Sequence, residues 1–208
     1  MNEETVALQT TDGVTLEGRL SMREREHGAV ICHPHPLYGG SMDNNVVLAA
    51  RDALRAAGLS TLRFNFRGVG GSSGSFDGGR GERKDVEAAH AHLSGLVDHV
   101  HLVAYSFGAW VALGALAERG FNMSSVILVS PPVAFAETDF AELPPPSVRT
   151  LVVSGDQDQF GPPDAVKRWL DVWERSDELE RVVLTGVDHF YWGGEEELKD
   201  AIERFMAS

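Results

Sequence analysis

The sequence of 208 residues contains a single cysteine, Cys32, so no disulfide can form within the chain. Cys32 closes the apolar run 29–32, which predicts a small buried side chain rather than a reactive thiol. A chain of this length can bury a sufficient core without disulfides or structural metals. Residues 1–208 are therefore predicted to form one domain.

Long apolar runs are also missing. No stretch approaches the roughly 18 residues that a membrane-spanning helix needs, so no membrane partner is predicted. The first residues, Met1 to Glu4, are acidic and are not followed by the apolar segment of a secretory signal. A cytoplasmic location is the expectation.

Basic residues are few. Lys and Arg number 18 against 31 Asp and Glu, which gives a formal net charge of −13. Such a surface repels phosphate backbones and anionic lipids, so a nucleic-acid partner is excluded from the prediction. The charge favours neutral or cationic small molecules as substrates.

Short β-rich runs alternate with helical patterns from Gly28 onward, a rhythm typical of a parallel α/β sheet. Ahead of it, two runs flank the Asp12-Gly13 turn and predict an antiparallel hairpin at the sheet edge. Strands 126–130 and 151–154 are almost wholly apolar, which predicts interior positions covered on both faces. The remaining predicted strands are 6–10, 15–21, 29–33, 60–64, 100–105 and 181–184, and the predicted helices are 44–57, 82–96, 107–119, 164–175 and 195–206.

A serine, Ser106, stands between an apolar strand and an apolar helix. A sharp turn there lifts the hydroxyl above the sheet edge, provided that small residues flank it, and Ala104 and Gly108 are small. The usual pattern is Gly-x-Ser-x-Gly, and Ala104 departs from it by one methyl group. The helix beginning at Phe107 directs its positive end at Ser106, which favours the negative charge of acyl transfer. The structural alternative is that Ser106 only caps this helix.

A serine nucleophile needs a histidine to accept its proton and a carboxylate to orient that histidine. His189 follows the last predicted strand, and both Asp156 and Asp158 follow strand 151–154. Asp158 is preferred as the orienting carboxylate, because the fourth position of a Gly-x-x-Asp turn can reach back over the sheet. Asp156 is expected to brace its loop through backbone amides. The other histidines weighed lie on predicted helix faces or element ends and are interpreted as solvated or packed: His27, His90, His92, His99 and His101.

The oxyanion of an acyl-transfer reaction needs two N–H donors. One is predicted to be the backbone N–H of Phe107, the residue after the nucleophile. The other is expected from the loop 33–40, where Pro34 and Pro36 have no N–H to give. Three candidates remain, His35 and Leu37 at nearly equal rank and then Tyr38.

Two cofactor sites are considered and rejected. His33 and His35 form a His-x-His pair, but a zinc site needs a third protein ligand and none is evident nearby. The glycines of segment 68–74 resemble a dinucleotide motif, yet Ser73 stands where that motif needs glycine and no helix begins until near Glu82. No metal and no cofactor are predicted, and this segment is interpreted as a turn at the mouth of the active site.

Three segments, 33–45, 63–70 and 104–108, resemble those of small α/β-hydrolases without a lid, related to dienelactone hydrolases and carboxylesterases. The similarity extends from about Gly28 to the C-terminus. It implies an α/β-hydrolase fold with about eight strands in a mostly parallel sheet and helices on both faces. It also implies a catalytic triad of Ser106, Asp158 and His189 and esterase-type chemistry.

Larger relatives insert a cap domain before the strand that precedes the triad acid. Here only about twenty residues separate Ser130 from Leu151, too few for a helical lid. No cap domain and an open pocket are therefore expected.

The sequence thus predicts a serine hydrolase that cleaves small carboxylic esters, or thioesters, through an acyl-enzyme on Ser106, with a small-molecule ester as its partner. Short acyl groups are favoured on the premise that a lidless site offers little apolar surface. One alternative is a peptidase or amidase with the same triad. Another is a non-catalytic binding protein on a hydrolase scaffold, which is disfavoured because all three triad positions are filled.

Overall fold

The computed structural model describes residues 3–135, 140, 143–173 and 178–208. Within them lie eight strands and five α-helices, which alternate after the first two strands except that β7 follows β6 directly. The strands are β1 (Glu4–Gln9), β2 (Thr15–Ser21), β3 (His27–Cys32), β4 (Ser60–Phe64), β5 (His99–Tyr105), β6 (Ser125–Val129), β7 (Thr150–Gly155) and β8 (Leu179–Leu184). The helices are α1 (Asn45–Ala56), α2 (Arg80–Ser94), α3 (Phe107–Arg119), α4 (Pro163–Leu170) and α5 (Glu195–Ala207).

All eight strands join in one sheet of order β1-β2-β4-β3-β5-β6-β7-β8. At one edge β1 pairs with β2 and β2 pairs with β4, both antiparallel. The six strands β3 to β8 run parallel to one another. The mostly parallel sheet with an antiparallel edge is therefore confirmed, and β6 and β7 are interior as predicted. Because the carboxyl ends of parallel strands meet at one edge, the connections that follow these six strands all begin there.

Helices cover both faces of the sheet. Alternate residues of each central strand point to opposite faces, so Val30 and Leu102 pack with α2 and α3, whereas Ile31 and Val103 pack with α1 and α5. Cys32 is fully buried, and burial raises the pKa of its thiol, as expected of an inert core residue.

The bounds of β4 and α3 were predicted to the residue, and α3 ends at Arg119, followed by the capping residue Gly120, whose φ of 63° suits glycine. Helix α2 begins at Arg80 rather than at Glu82. The side chain of Glu82 accepts hydrogen bonds from the N–H groups of Asp77 and Gly79, at 2.9 and 2.8 Å, so it caps the helix from inside the first turn.

Helix α4 was predicted over 164–175, but it ends at Leu170, and residues 174–175 lie outside the described part. The apolar pattern continues past its end because Trp173 still packs on Trp169, with ring centroids 4.6 Å apart, from a turn rather than from a helix. Hydrophobic spacing alone does not distinguish these two geometries.

Two of the segments that carry the resemblance hold each other in place. Asn65 accepts a hydrogen bond from the N–H of Met42 at 2.9 Å, and Phe66 N–H donates to His33 Nε2 at 3.0 Å. Next to them, the buried guanidinium of Arg67 pairs with the fully buried carboxylate of Asp85 at 2.7 Å. These polar contacts fix the loops after β3 and β4 at the sheet edge.

None of the helices in the described part of the chain combines the length and the hydrophobicity of a transmembrane span.

Candidate active site

Three of the residues selected from the sequence meet at the carboxyl edge of the sheet. Ser106 directly follows β5, Asp158 lies in the loop after β7, and His189 lies in the loop between β8 and α5. The hydroxyl of Ser106 lies 2.8 Å from His189 Nε2. His189 Nδ1 lies 2.9 Å from each oxygen of Asp158. The three side chains form one continuous hydrogen-bonded line.

Ser106 occupies a strained turn with φ 54° and ψ −121°. Its side chain makes no capping bond to α3, so the structural alternative of a simple helix cap does not describe its geometry. The turn depends on close packing, since a Cβ at Gly108 would lie 2.6 Å from the carbonyl oxygen of His33. Ala104, which replaces the usual glycine, is fully buried and fits without strain in its strand.

Asp158 is nearly fully buried. Burial by itself would raise its pKa, but hydrogen bonds from His189, Ser130 and the N–H of Gly161 hold that pKa below its ordinary value. Asp158 is thus an ionised acceptor, and it orients His189 with Nδ1–H toward the carboxylate and Nε2 as the acceptor for the Ser106 hydroxyl.

Asp156 takes a different position. Its carboxylate is exposed and accepts a hydrogen bond from Gly186 N–H at 2.7 Å. A second bond joins the same two loops, from Gln157 N–H to the Val187 carbonyl at 3.0 Å. Asp156 therefore braces the loop that carries His189 and does not contact the imidazole.

The candidate oxyanion donors lie beside Ser106. Phe107 is the first residue of α3, where a helix leaves its N–H without an intrahelical acceptor. In the loop after β3, Leu37 N–H donates to His35 Nδ1 at 3.2 Å and Tyr38 N–H donates to the His35 carbonyl at 3.1 Å. Both groups are thus engaged in a short turn in this structure, and the second oxyanion donor is still expected from this loop.

His33 has a structural role. It is fully buried, its Nδ1 lies 2.6 Å from the Pro34 carbonyl and its Nε2 accepts from Phe66 N–H. Burial lowers the pKa of this histidine to about 4, so it is neutral and fixes the loop. No group of three or more His, Cys, Asp or Glu side chains suited to a metal ion occurs among the described residues.

A cavity of about 690 Å³ opens over Ser106. Its described lining is mostly aromatic and carries no Asp, Glu, Lys or Arg side chain: Pro34, His35, Tyr38, Gly39, Gly40, Asn44, Phe76, Gly78, Tyr105, Ser106, Phe107, Trp110, Pro132, Phe135, Phe160, His189 and Phe190. The segment after β4 reaches the mouth through Phe76 and Gly78, a little beyond the glycines of segment 68–74. The cavity therefore offers apolar surface from its loops.

Sequence reasoning missed three residues that contact this line. Tyr105 donates a 2.7 Å hydrogen bond to the His189 carbonyl, and the Ser130 and Tyr191 hydroxyls lie 2.9 Å apart behind Asp158. Ser130 had a usable signal, because a polar residue directly after an apolar interior strand lies at the same edge as the other site residues. Tyr105 and Tyr191 had none, since aromatic residues beside a strand end are ordinary core residues.

The comparisons with known proteins agree with this architecture. No protein-family model matches the sequence. An uncharacterized protein of Rickettsia prowazekii is 34% identical over 200 residues, which cover 92% of this chain and 84% of the relative.

Two solved structures are similar over nearly their whole length. An α/β serine hydrolase without a lid from Xanthomonas campestris is 32% identical, with a TM-score of 0.88 over 100% of this chain and 94% of that one. An α/β serine hydrolase homologue from Coxiella burnetii is 36% identical, with a TM-score of 0.84 over 98% and 97%. On fold, sequence identity and coverage together, the chain belongs to the α/β serine hydrolases without a lid.

Proposed function

We propose that this protein hydrolyses carboxylic esters through an acyl-enzyme on Ser106, with His189 as the general base and Asp158 as its orienting carboxylate. The observation that carries the proposal is the unbroken line of hydrogen bonds, 2.8 Å from Ser106 Oγ to His189 Nε2 and 2.9 Å from His189 Nδ1 to Asp158. These distances suit proton transfer without rearrangement.

In the first half-reaction Ser106 Oγ attacks the ester carbonyl while its proton passes to His189 Nε2. The tetrahedral oxyanion accepts hydrogen bonds from Phe107 N–H and from an N–H of the loop after β3. As the intermediate collapses, the C–O bond to the alcohol breaks and His189 returns the proton to the leaving oxygen. Water then repeats the sequence on the acyl-enzyme and releases the acid, so no cofactor is needed.

The substrates are uncharged around the ester. The described lining of the cavity contains no formally charged side chain that would pair with a carboxylate or an ammonium group, and burying an unpaired charge is costly. The preference for short acyl groups rested on a site with little apolar surface. The aromatic loops provide that surface, so the proposal extends to larger apolar esters and thioesters.

A fluorophosphonate probe tests the nucleophile directly. We expect stoichiometric labelling of the native protein and none of Ser106→Ala, with Ser41→Ala, a variant on the loop after β3, labelling like the native protein. Equal labelling of Ser106→Ala would contradict the proposal. Turnover of p-nitrophenyl acetate compared with the matching anilide separates esterase from amidase activity, since faster anilide hydrolysis would favour a peptidase or amidase.

A further inference from the structure

Aromatic rings flank Ser106 in two groups. One group, the His189 wall, consists of Phe160 and Phe190, whose ring centroids lie 4.7 and 5.7 Å from the imidazole of His189. The other, the helix wall, consists of Phe76 and Trp110, which lie 5.8 and 5.7 Å from the ring of Phe107. All four rings line the cavity.

The chemistry assigns a part of the substrate to each wall. The leaving oxygen takes its proton from His189 Nε2, so the alcohol part must lie beside that imidazole and hence beside Phe160 and Phe190. The acyl part lies on the other side of the carbonyl carbon from the leaving oxygen, and hence away from the imidazole. The cavity rings of the helix wall, Phe76 and Trp110, contact Phe107 rather than His189.

We propose that the substrate is an uncharged ester with an aromatic alcohol part against the His189 wall and an apolar acyl part against the helix wall, an assignment that rests on the proposed function. Flat rings gain from edge and face contacts with other rings beyond the area they bury. Phe160 and Phe190 meet the imidazole at interplanar angles of 61° and 89°. Both also line the cavity, so an aromatic alcohol part beside His189 would contact them.

Three esters test the assignment: ethyl acetate, benzyl acetate and ethyl 3-phenylpropanoate. The value of kcat/KM for each phenyl ester is divided by that for ethyl acetate. We expect Phe190→Ala to lower the benzyl acetate ratio by about three- to tenfold and to leave the phenylpropanoate ratio unchanged. Phe76→Ala should do the reverse. Val172→Ala, at an exposed residue outside the cavity lining, is the control for losing an apolar side chain.

A fall in both ratios for each variant, or the opposite pairing, would overturn the assignment of the walls. In either case ethyl acetate hydrolysis and fluorophosphonate labelling persist, so the proposed function stands. If the native protein hydrolyses none of the three esters, both the wall assignment and the proposed function are wrong.

A second inference rests on backbone strain. Within the described residues, three that are not glycine have a positive φ: Ser106 at 54°, Ser130 at 45° and Tyr191 at 59°. Such conformations persist where the surroundings hold them, often at functional sites. All three residues belong to one chain of contacts, which continues past Asp158 through Ser130 to Tyr191.

Ser130 connects Asp158 with Tyr191. Its hydroxyl lies 2.9 Å from the Tyr191 hydroxyl, and either of the two can donate. Ser130 also acts on Asp158, since its hydroxyl helps to lower the pKa of that carboxyl. Asp158 also accepts from the N–H groups of Phe160 and Gly161, both at 2.9 Å. The Tyr191 side chain is fully buried, and its hydroxyl lies 3.5 Å from the Val153 carbonyl, which secures it from the sheet.

We infer that Ser130 and Tyr191 are positioning residues, which hold the Asp158 carboxylate in the geometry and the ionisation state that His189 requires. Among the residues that the structure describes, His189 is hydrogen-bonded to Asp158, and the phenols of Tyr105 and Tyr191 are affected by its charge. Burial raises the pKa of the Tyr105 and Tyr191 phenols, so both stay neutral over the working range. Asp188, whose charge also acts on Tyr105, hydrogen-bonds to Phe190 N–H at 2.9 Å.

The pH profile of kcat/KM tests this role. Ser130→Gly and Ser130→Ala both remove the hydroxyl, but only glycine relieves the positive φ. If the Ser130 hydroxyl holds Asp158, both variants make the Asp158 carboxylate more basic. We then expect the acidic limb of the kcat/KM profile to move toward higher pH and kcat to fall by about three- to tenfold. Tyr191→Phe should shift the limb in the same direction.

A purely structural role gives a different result. Ser130→Gly would then keep the native pH profile, and Ser130→Ala would change only thermal stability. An unmoved acidic limb in both variants overturns the inference. Fluorophosphonate labelling of Ser106 remains in that case, so the proposed function is judged separately.

Discussion

The phenol of Tyr105 donates a 2.7 Å hydrogen bond to the main-chain carbonyl of His189. Tyr105 is the last residue of β5 and immediately precedes Ser106. The strand that presents the serine therefore also fixes the backbone of the histidine, so the distance between the two reactive groups is set by one strand end.

Tyr105→Phe removes this bond alone. A buried hydrogen bond has a net value of about 1 kcal/mol, so we expect kcat for ester hydrolysis to fall by about three- to tenfold, with a lower Tm. Steady-state kinetics and thermal unfolding measure the two effects. Tyr38→Phe is the matched control, because its side chain is exposed at the mouth, and an undiminished kcat in Tyr105→Phe would contradict the prediction.

Asp158→Asn should abolish most activity. The amide cannot keep His189 in the tautomer that accepts the serine proton, and loss of the carboxylate at such a position lowers kcat by about 10⁴-fold in a comparable triad. Asp156→Asn keeps an oxygen for Gly186 N–H and should retain activity within about threefold. Assaying both variants on one ester decides between the two aspartates, and the reverse order would assign the role to Asp156.

Gly108→Ala should disrupt the turn at Ser106. The added Cβ would lie 2.6 Å from the His33 carbonyl and 2.9 Å from the Cys32 carbonyl, and both are backbone atoms that cannot move aside cheaply. We expect a loss of about 2 kcal/mol or more in the free energy of unfolding and strongly reduced labelling of Ser106.

Gly95→Ala is the matched control for that change. Gly95 has an ordinary φ of −78°, and a Cβ there would find its nearest neighbour at 3.5 Å. The free energies of unfolding of Gly108→Ala and Gly95→Ala, measured in urea, should therefore differ. Equal stability of both would mean that α3 and β3 are less closely packed than the structure indicates.

Acid should weaken the fold through its buried histidines. Burial lowers the pKa of His33 to about 4, and burial with the neighbouring His27 and His99 lowers that of His101 to about 4. In the unfolded chain these histidines bind protons below about pH 6.5, whereas in the fold they stay neutral until about pH 4. The free energy of unfolding is therefore highest above about pH 6.5. Between about pH 6.5 and 4, each of the two histidines lowers it by about 1.4 kcal/mol for every pH unit. His90, whose pKa burial also lowers, acts in the same direction.

Urea unfolding between pH 7 and 4.5 measures this slope. His101→Gln removes one titrating group and should give a smaller slope. Carboxylates with lowered pKa values, such as Asp158, lose their contribution only at more acidic pH. A slope unaffected by His101→Gln would show that this histidine is not neutral in the fold.

The sequence was sufficient wherever local pattern and local geometry coincide. Strand β4 and helix α3 follow from apolar periodicity and from a glycine at the helix end, and the placement of Ser106 follows from the same junction. The preference for Asp158 over Asp156 came from turn geometry together with the habit of the family that the chain resembles. In the structure Asp158 contacts His189, and Asp156 accepts from a neighbouring loop.

The remaining features depend on which strands become neighbours. Ser130 contacts Asp158 because β6 pairs with β7, and Tyr191 meets Ser130 across several loops, neither of which spacing along the chain reveals. The hydrogen bond from Leu37 N–H to the imidazole of His35 depends on a side-chain conformation within a turn, which the sequence pattern does not reveal. The end of α4 was missed because Trp173 satisfies the apolar pattern from outside the helix.

The residues of the site lie partly at a strand end and partly on loops. Ser106 follows a strand end directly, whereas the rings that face the substrate, Phe76, Phe160 and Phe190, sit on loops beyond it. Loops accept substitution and insertion more readily than the strands they connect. Homologues of this chain can therefore diverge in the substrates they select while Ser106 keeps its place, and a directed-evolution library confined to these loops should change selectivity with little loss of folded protein.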